Sequence, residues 1–305
     1  MCSSDLLSRG AIQGVYLGDS PLAQELLGHC ETIVTSRQLD DPAILARYAQ
    51  ARGVLALYQG DMGGSARESE RAIARYLLAG DLPSACLERV NLGNAWTELG
   101  AFAEAEDETR EALATAERLG LRTVALAATI NLGHILALRG RAEEAVAIER
   151  SVVDRTAGSS PRFEIASRLY LARALHSAGH PEEAAAEAWR VVEVTERIPP
   201  LRAYALAVHA RALIACGAPG RARAAARQAM VLLTLLGGVD AGEATIRLTY
   251  AEALIAAGDA DAPEAIESAR QRLLERASRI GDAGLRQQFL TVAPENARTM
   301  QLAAR

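Results

Sequence analysis

Apolar residues recur along this chain at three- and four-residue steps and do not settle into the one-in-two alternation of a half-buried strand. Leu87, Val90, Leu92, Trp96 and Leu99 trace one helical face up to Gly100; Phe102, Ala105, Leu113 and Ala116 trace another beyond it. This pattern predicts two amphipathic helices folded back on each other at a glycine. Helix starts are marked by Asp41-Pro42, where the carboxylate caps and proline fits the first turn. His180-Pro181-Glu182-Glu183 marks another, with acid at the positive helix end. Breaks are predicted at Gly120, across 156–161, at Pro199-Pro200 and at Gly237-Gly238.

The hairpin repeats through the chain. Gly18, Gly60, Gly100, Gly140, Gly179, Gly217 and Gly258 stand 42, 40, 40, 39, 38 and 41 residues apart, and their surroundings repeat with them. Seven residues before each glycine is a small residue: Ala11, Gly53, Gly93, Gly133, Ala172, Ala210 and Ala251. Five residues after it is another in six units, Ala23, Ser65, Ala105, Ala145, Ala184 and Ala222, while two extra residues put Ala265 there in the seventh. Small side chains at fixed offsets on both sides of a short turn let two antiparallel helices approach closely, which is a packing demand. The expectation is an all-α, right-handed superhelix of seven hairpins over residues 1–281, closed by a C-terminal capping segment over 282–305.

Composition narrows the chemistry. With 50% hydrophobic but only 4% aromatic residues, the core must be built from small aliphatic side chains. No lysine occurs, so all 33 basic residues are arginine, which excludes a P-loop lysine, a Schiff base and a Ser-Lys hydrolase. The net charge of −5 disfavours nucleic acid as a partner of the whole chain. Cys2, Cys30, Cys86 and Cys216 form no C-x-x-C pair and read as small buried residues of a reducing compartment. The longest apolar run, Val231–Leu236, is far short of the ~20 residues that span a bilayer, so a cytoplasmic protein without a membrane partner is expected. His29, His134, His176, His180 and His209 lack metal-ligand spacing, Asp259 and Asp261 lack the rest of a calcium loop, and no nucleophile elbow or phosphate-binding glycine loop is present. No metal, cofactor or enzymatic activity is implied.

The strings Asn91-Leu-Gly-Asn-Ala-Trp-Thr-Glu-Leu-Gly-Ala-Phe-Ala-Glu-Ala105 and Asn131-Leu-Gly-His-Ile-Leu-Ala-Leu-Arg-Gly-Arg-Ala-Glu-Glu-Ala145 resemble the tetratricopeptide repeat, with its Leu-Gly, turn glycine and alanine pattern. The segment from Asp282 to Leu290, followed by Pro294 to Arg298, is similar to the closing segment of repeat regions attached to bacterial serine/threonine kinases and AAA-type or adenylyl-cyclase-linked regulators; it reads equally as a cap helix in which Leu285, Phe289 and Leu290 cover the stack. The resemblance implies a protein or peptide ligand held in a groove lined by first helices, with asparagines nine and six residues before the turn glycine bonding the ligand backbone. Asn91, Asn94 and Asn131 occupy those places, and His134 takes the fourth. An asparagine pairs with a peptide unit as donor and acceptor together, although it can also serve neighbouring helix backbone. Later units place Tyr170, Arg173, Val208, Arg211, Thr249 and Glu252 there, and an earlier one offers Val54, with Gln50 and Arg47 one and two turns back. An acidic ligand end is expected near Arg173 and Arg211.

The leading expectation is a non-catalytic interaction scaffold of a bacterial signalling regulator. The alternative is a receptor controlling nucleic-acid binding through Arg202, Arg211, Arg221, Arg223 and Arg227. Leu6, Leu7, Ile12, Val15, Tyr16 and Leu17 surround much of the first helix, which predicts a domain before it, such as a kinase or ATPase.

Overall fold

The computed structural model describes residues 3–16, 19–36, 38–239 and 242–304. Gly18, Cys2 and Leu17 lie outside the described residues. Among the described residues there are sixteen α-helices and no strand. Seven hairpins follow in order: α1 (Ser3–Tyr16) with α2 (Ser20–Ser36), α3 (Pro42–Tyr58) with α4 (Met62–Leu78), and α5 (Leu82–Leu99) with α6 (Phe102–Arg118). Next come α7 (Arg122–Leu138) with α8 (Ala142–Thr156), α9 (Pro161–Ser177) with α10 (Pro181–Val194), α11 (Pro199–Ala215) with α12 (Pro219–Leu236), and α13 (Glu243–Ala256) with α14 (Ala262–Ser278). Two short helices, α15 (Ala283–Thr291) and α16 (Pro294–Ala303), end the chain.

The turn chemistry follows the sequence. Asp41 Oδ1 accepts from the Ala43 amide at 2.9 Å, so the first turn of α3 is capped where Pro42 could not donate. Gly60, Gly100, Gly140, Gly179, Gly217 and Gly258 all take left-handed φ between 63° and 84°, which closes each first helix and turns the chain into the second. Gly80, which the spacing does not single out, does the same after α4.

Both columns of small residues are buried. Ala11, Gly53, Gly93, Gly133, Ala172, Ala210 and Ala251 are covered in the first helices; so are Ala23, Ser65, Ala105, Ala145, Ala184 and Ala222 in the second, with Ala265 half-buried. In the second to sixth hairpins the residue nine places after the turn glycine tracks which small residue is used. Where the first helix has Gly53, Gly93 or Gly133, the second has Ser69, Thr109 or Glu149. A Cβ on Gly93 would fall 2.5 Å from Thr109 Oγ1, and one on Gly133 would strike Glu149 Oε1. Where the first helix has Ala172 or Ala210, the second has Ala188 or Ala226, all four buried in one cluster. In these five hairpins the two facing side chains are complementary in size, whereas in the first Ala11 shares its cluster with Leu27.

The chain divides into two compact units. Unit 1 is residues 1–128 with 276–289; unit 2 is residues 129–275 with 290–305. In unit 1, Phe289 of α15 is buried with the Arg276 guanidinium 5.7 Å above its ring, and Gln288 donates to the Gly100 carbonyl at 3.1 Å. Arg279 donates to the Gln59 carbonyl at 3.2 Å, and Ile280 and Leu285 approach Gly63. The core of unit 2 runs without interruption from Leu169 on α9 to Ala253 on α13 and is mostly alanine, valine and leucine.

Glu149 sits inside that second unit. It is fully buried, accepts a hydrogen bond from the Ser167 hydroxyl, and its Oε1 has no partner. Burial pushes its pKa well above the usual carboxylate range, which the Ser167 bond only partly offsets. A raised folded-state pKa means the folded chain holds a proton the unfolded chain gives up, so stability falls as pH rises above about 4.5. Glu149→Gln, which copies the protonated acid, is expected to stabilise unit 2 at pH 7 by on the order of 1–3 kcal/mol. The gain should vanish below about pH 4.5 when urea unfolding of both proteins is compared across pH.

Candidate ligand-binding face

The residues read as groove-facing fall on both units. In unit 1, Arg47 on α3 pairs with Asp5 of α1, an ion pair that raises the Arg47 pKa through that hydrogen bond. Gln50 uses both ends of its amide: Nε2 donates to Glu88 at 3.0 Å and Oε1 accepts from the Tyr76 hydroxyl at 2.9 Å. Glu88 is buried on α5 and gathers Ser69 at 2.7 Å and Asn91 at 3.2 Å as well. Its pKa is raised by burial against these three donors. Arg47 and Gln50 therefore join α3 to α1, α4 and α5. Asn91 is exposed and shared with Glu88, and Asn94, one turn on, is exposed on α5.

Unit 2 gathers its candidates more tightly. Asn131 is half-buried on α7. The His134 ring stacks on Tyr170 of α9 with centroids 4.2 Å apart and planes 11° apart, and its buried Nδ1 has no partner. Burial, reinforced by the Arg173 charge, brings the His134 pKa down to about 3, so the ring is neutral at physiological pH. Arg173 bridges four elements. It donates to the Tyr204 hydroxyl of α11 at 2.9 Å, to Thr245 of α13 at 3.3 Å and to the Glu295 carboxylate of α16 at 2.8 Å. Burial opposes its charge, but Tyr204, Glu295 and Tyr170 outweigh burial and raise its pKa. Arg211 of α11 reaches the same Glu295 oxygen at 3.1 Å. Glu252 of α13 accepts from Arg298 of α16 at 3.0 Å.

The acidic group that the sequence leads one to expect at Arg173 and Arg211 is thus supplied by the chain itself. Glu295 is buried, which raises its pKa, but the two arginines overcome this and hold it down at about 2. Sequence reasoning placed the arginines and missed their partner, because Glu295 lies 122 residues from Arg173 and 84 from Arg211. Beside α16 opens a cleft of about 850 Å³, apolar along Ile255, Ile266 and Leu302 and polar at His176, Arg211 and Arg298. His176 Nδ1 is buried there without a hydrogen-bond partner, and burial followed by the charges of Arg211 and Arg173 lowers its pKa.

The arginine patch of the nucleic-acid alternative is partly spent. Arg202 donates to the Val192 carbonyl at 3.0 Å and Arg223 pairs with Asp259 at 3.0 Å, whereas Arg221 and Arg227 are exposed on α12. Among the described residues no helix is long and apolar enough to cross a membrane.

Residues 89–119, from the middle of α5 to the end of α6, match the family model of the tetratricopeptide repeat. No curated protein sequence matches the chain. Solved structures match it in fold. A Rap protein complexed with Competence and Sporulation Factor aligns at TM-score 0.70 and 12% identity, over 99% of this chain and 86% of that one. NprR in complex with its cognate peptide NprX aligns at 0.68 and 13%, over 96% and 84%. The Rap conjugation gene regulator of the plasmid pLS20, in complex with the Phr* peptide, aligns at 0.61 and 12%, over 98% and 96%. The fold is an all-α solenoid of tetratricopeptide-type hairpins.

Proposed function

We propose that this tetratricopeptide-type chain is a non-catalytic regulatory scaffold that binds a peptide, or a helix of a partner protein, along the first helices of its hairpins. The observation that carries the reading is the convergence of Arg173, Arg211 and Glu252, each six residues before the turn glycine of its hairpin on α9, α11 and α13, on one helical segment of the chain itself. A row of side chains at equal offsets suits an extended or helical ligand, with specificity set position by position. That Rap and NprR proteins of the same fold were solved with peptides is consistent with this reading. Within unit 2, Asn131 is the side chain assigned to the ligand backbone, and Arg173 with Arg211 to an acidic ligand group. A role as the sensor region of a larger cytoplasmic regulator follows from the same reading.

An array of synthetic twelve-residue peptides, with and without acidic residues, tests the assignment on the full chain. Acidic peptides captured by the wild type are expected to lose at least about tenfold in affinity in Asn131→Ala. The melting temperature should move by less than about 2 °C, since Asn131 is half-buried on α7 and lies outside the packed hairpin columns. Unchanged binding, or a loss of stability as large as the loss of affinity, would return Asn131 to a purely structural role.

A further inference from the structure

We infer that α16 is a displaceable internal occupant of the peptide-binding face. The ligand class then follows from α16 itself: a short helical peptide presenting a carboxylate in its first turn, a guanidinium three residues on and an aliphatic side chain four residues further. This rests on the peptide-binding reading and names the chemistry the site selects.

The face that α16 buries is more polar than that of α11, one of the helices it meets. Glu295, Asn296, Thr299 and Leu302 are its buried residues, three of the four polar, whereas α11 buries nine residues of which only His209 is polar. Only Leu302 brings a large aliphatic group, worth roughly 1.5–3 kcal/mol when fully covered. A helix of ten residues is marginal by itself, so docking must also offset the cost of ordering it. What holds α16 is charge: Glu295 on Arg173 and Arg211, and Arg298 on Glu252. Buried ion pairs give little net stability, because desolvation cancels much of the attraction, yet they discriminate sharply between matched and mismatched partners. A segment held in this way is well specified and weakly attached.

The receiving surface is also built to accept a carboxylate from elsewhere. Arg173 is fixed by Tyr204 and Thr245 independently of α16, so its guanidinium stays aimed when Glu295 leaves. Counting the ion-paired groups, Arg173, Arg211 and Arg298 stand against Glu252 and Glu295, an excess of one positive charge. With Glu295 and Arg298 withdrawn, Arg173 and Arg211 face the single Glu252, so the same excess of one positive charge remains and the emptied face attracts a peptide carboxylate. The neutral His134–Tyr170 stack adds a flat wall beside them, and the cleft next to Leu302 offers room for a larger aliphatic group than the one α16 supplies. Binding and release of α16 are then the same event, which makes the freed C-terminal segment the output of ligand recognition.

The probe is a fluorescein-labelled peptide of residues 292–303, Val-Ala-Pro-Glu-Asn-Ala-Arg-Thr-Met-Gln-Leu-Ala, titrated onto full-length protein. In the wild type the tethered copy competes at high effective concentration, so binding should be weak. In Glu295→Arg the tethered copy is repelled by Arg173 and Arg211, and the peptide should bind at least about tenfold tighter. Glu295→Gln should fall between the two and serves if the charge reversal fails to fold by circular dichroism. Adding Arg173→Met to either variant should remove the gain. Equal affinity for wild type and both Glu295 variants would overturn the inference. An array peptide that binds the wild type at Asn131 and leaves α16 in place would overturn it while sparing the peptide-binding reading. Failure of every peptide on every variant would overturn both.

Discussion

Replacing Arg173 with methionine is expected to undock α16 and to cost unit 2 about 1–3 kcal/mol, less than a charge held buried would cost because undocking returns Glu295 to water. The side chain keeps its aliphatic length in the variant, but a docked Glu295 would be buried with Arg211 alone, and the Tyr204 and Thr245 hydroxyls lose their donor. The cost so measured combines the lost pair with the released helix. Urea unfolding of a double-mutant cycle separates the two quantities. Arg173→Met with Glu295→Gln should be less destabilised than the sum of the single variants by about 1–3 kcal/mol, because the second change removes the stranded charge. An additive cycle would mean that the two side chains are independently solvated. Release of α16 relieves the stranded carboxylate, so the single variant should lose α16 before the rest of unit 2 melts. Arg190→Met, at an exposed pair with Glu187, should cost less than about 1 kcal/mol and serves as the control.

The second large effect lies in the hairpin column. Gly133→Ala gains up to about 1 kcal/mol of intrinsic helix propensity. It nonetheless places a methyl group against the Oε1 of fully buried Glu149, whose Cδ and Cγ stand 3.0 and 3.2 Å from the new Cβ. Overpacking of this kind costs about 1–3 kcal/mol, so the net result should be a loss. Glu149→Ala alone opens a cavity but removes a buried acid. The two changes together recreate the Ala172/Ala188 and Ala210/Ala226 pairs of the next hairpins, and the double variant should be at least as stable as the wild type. Thermal melts of the four proteins settle the point, and a double variant weaker than either single one would refute the paired-size rule.

These predictions rest on different amounts of sequence information. The hairpins were legible because close approach of two helices leaves a local signature: a glycine with left-handed φ, and small residues at fixed distances on both sides of it. Asp41 could be read as a cap for the same reason, since its partners are two and three residues away. Gly80 escaped the glycine column because it ends a second helix, where loop lengths vary. The candidate face was legible only in part. Offsets within a repeat put Tyr170, Arg173, Arg211 and Glu252 at corresponding places, since periodicity carries position. It does not carry partners, and Arg47 and Gln50, which share a helical face with those positions, are engaged by Asp5, Glu88 and Tyr76. Least legible was α16. Its buried face is polar, so it has no apolar stripe to announce packing, and the arginines it meets come from other hairpins far back in the chain.

Amide hydrogen exchange of residues 294–303, followed as the 292–303 peptide is titrated onto the wild-type chain, probes the occupied face most directly. Exchange in α16 should accelerate toward the unstructured rate as the peptide saturates, while the amides of α9, α11 and α13 stay protected. Saturating peptide that leaves α16 as protected as before would contradict the account.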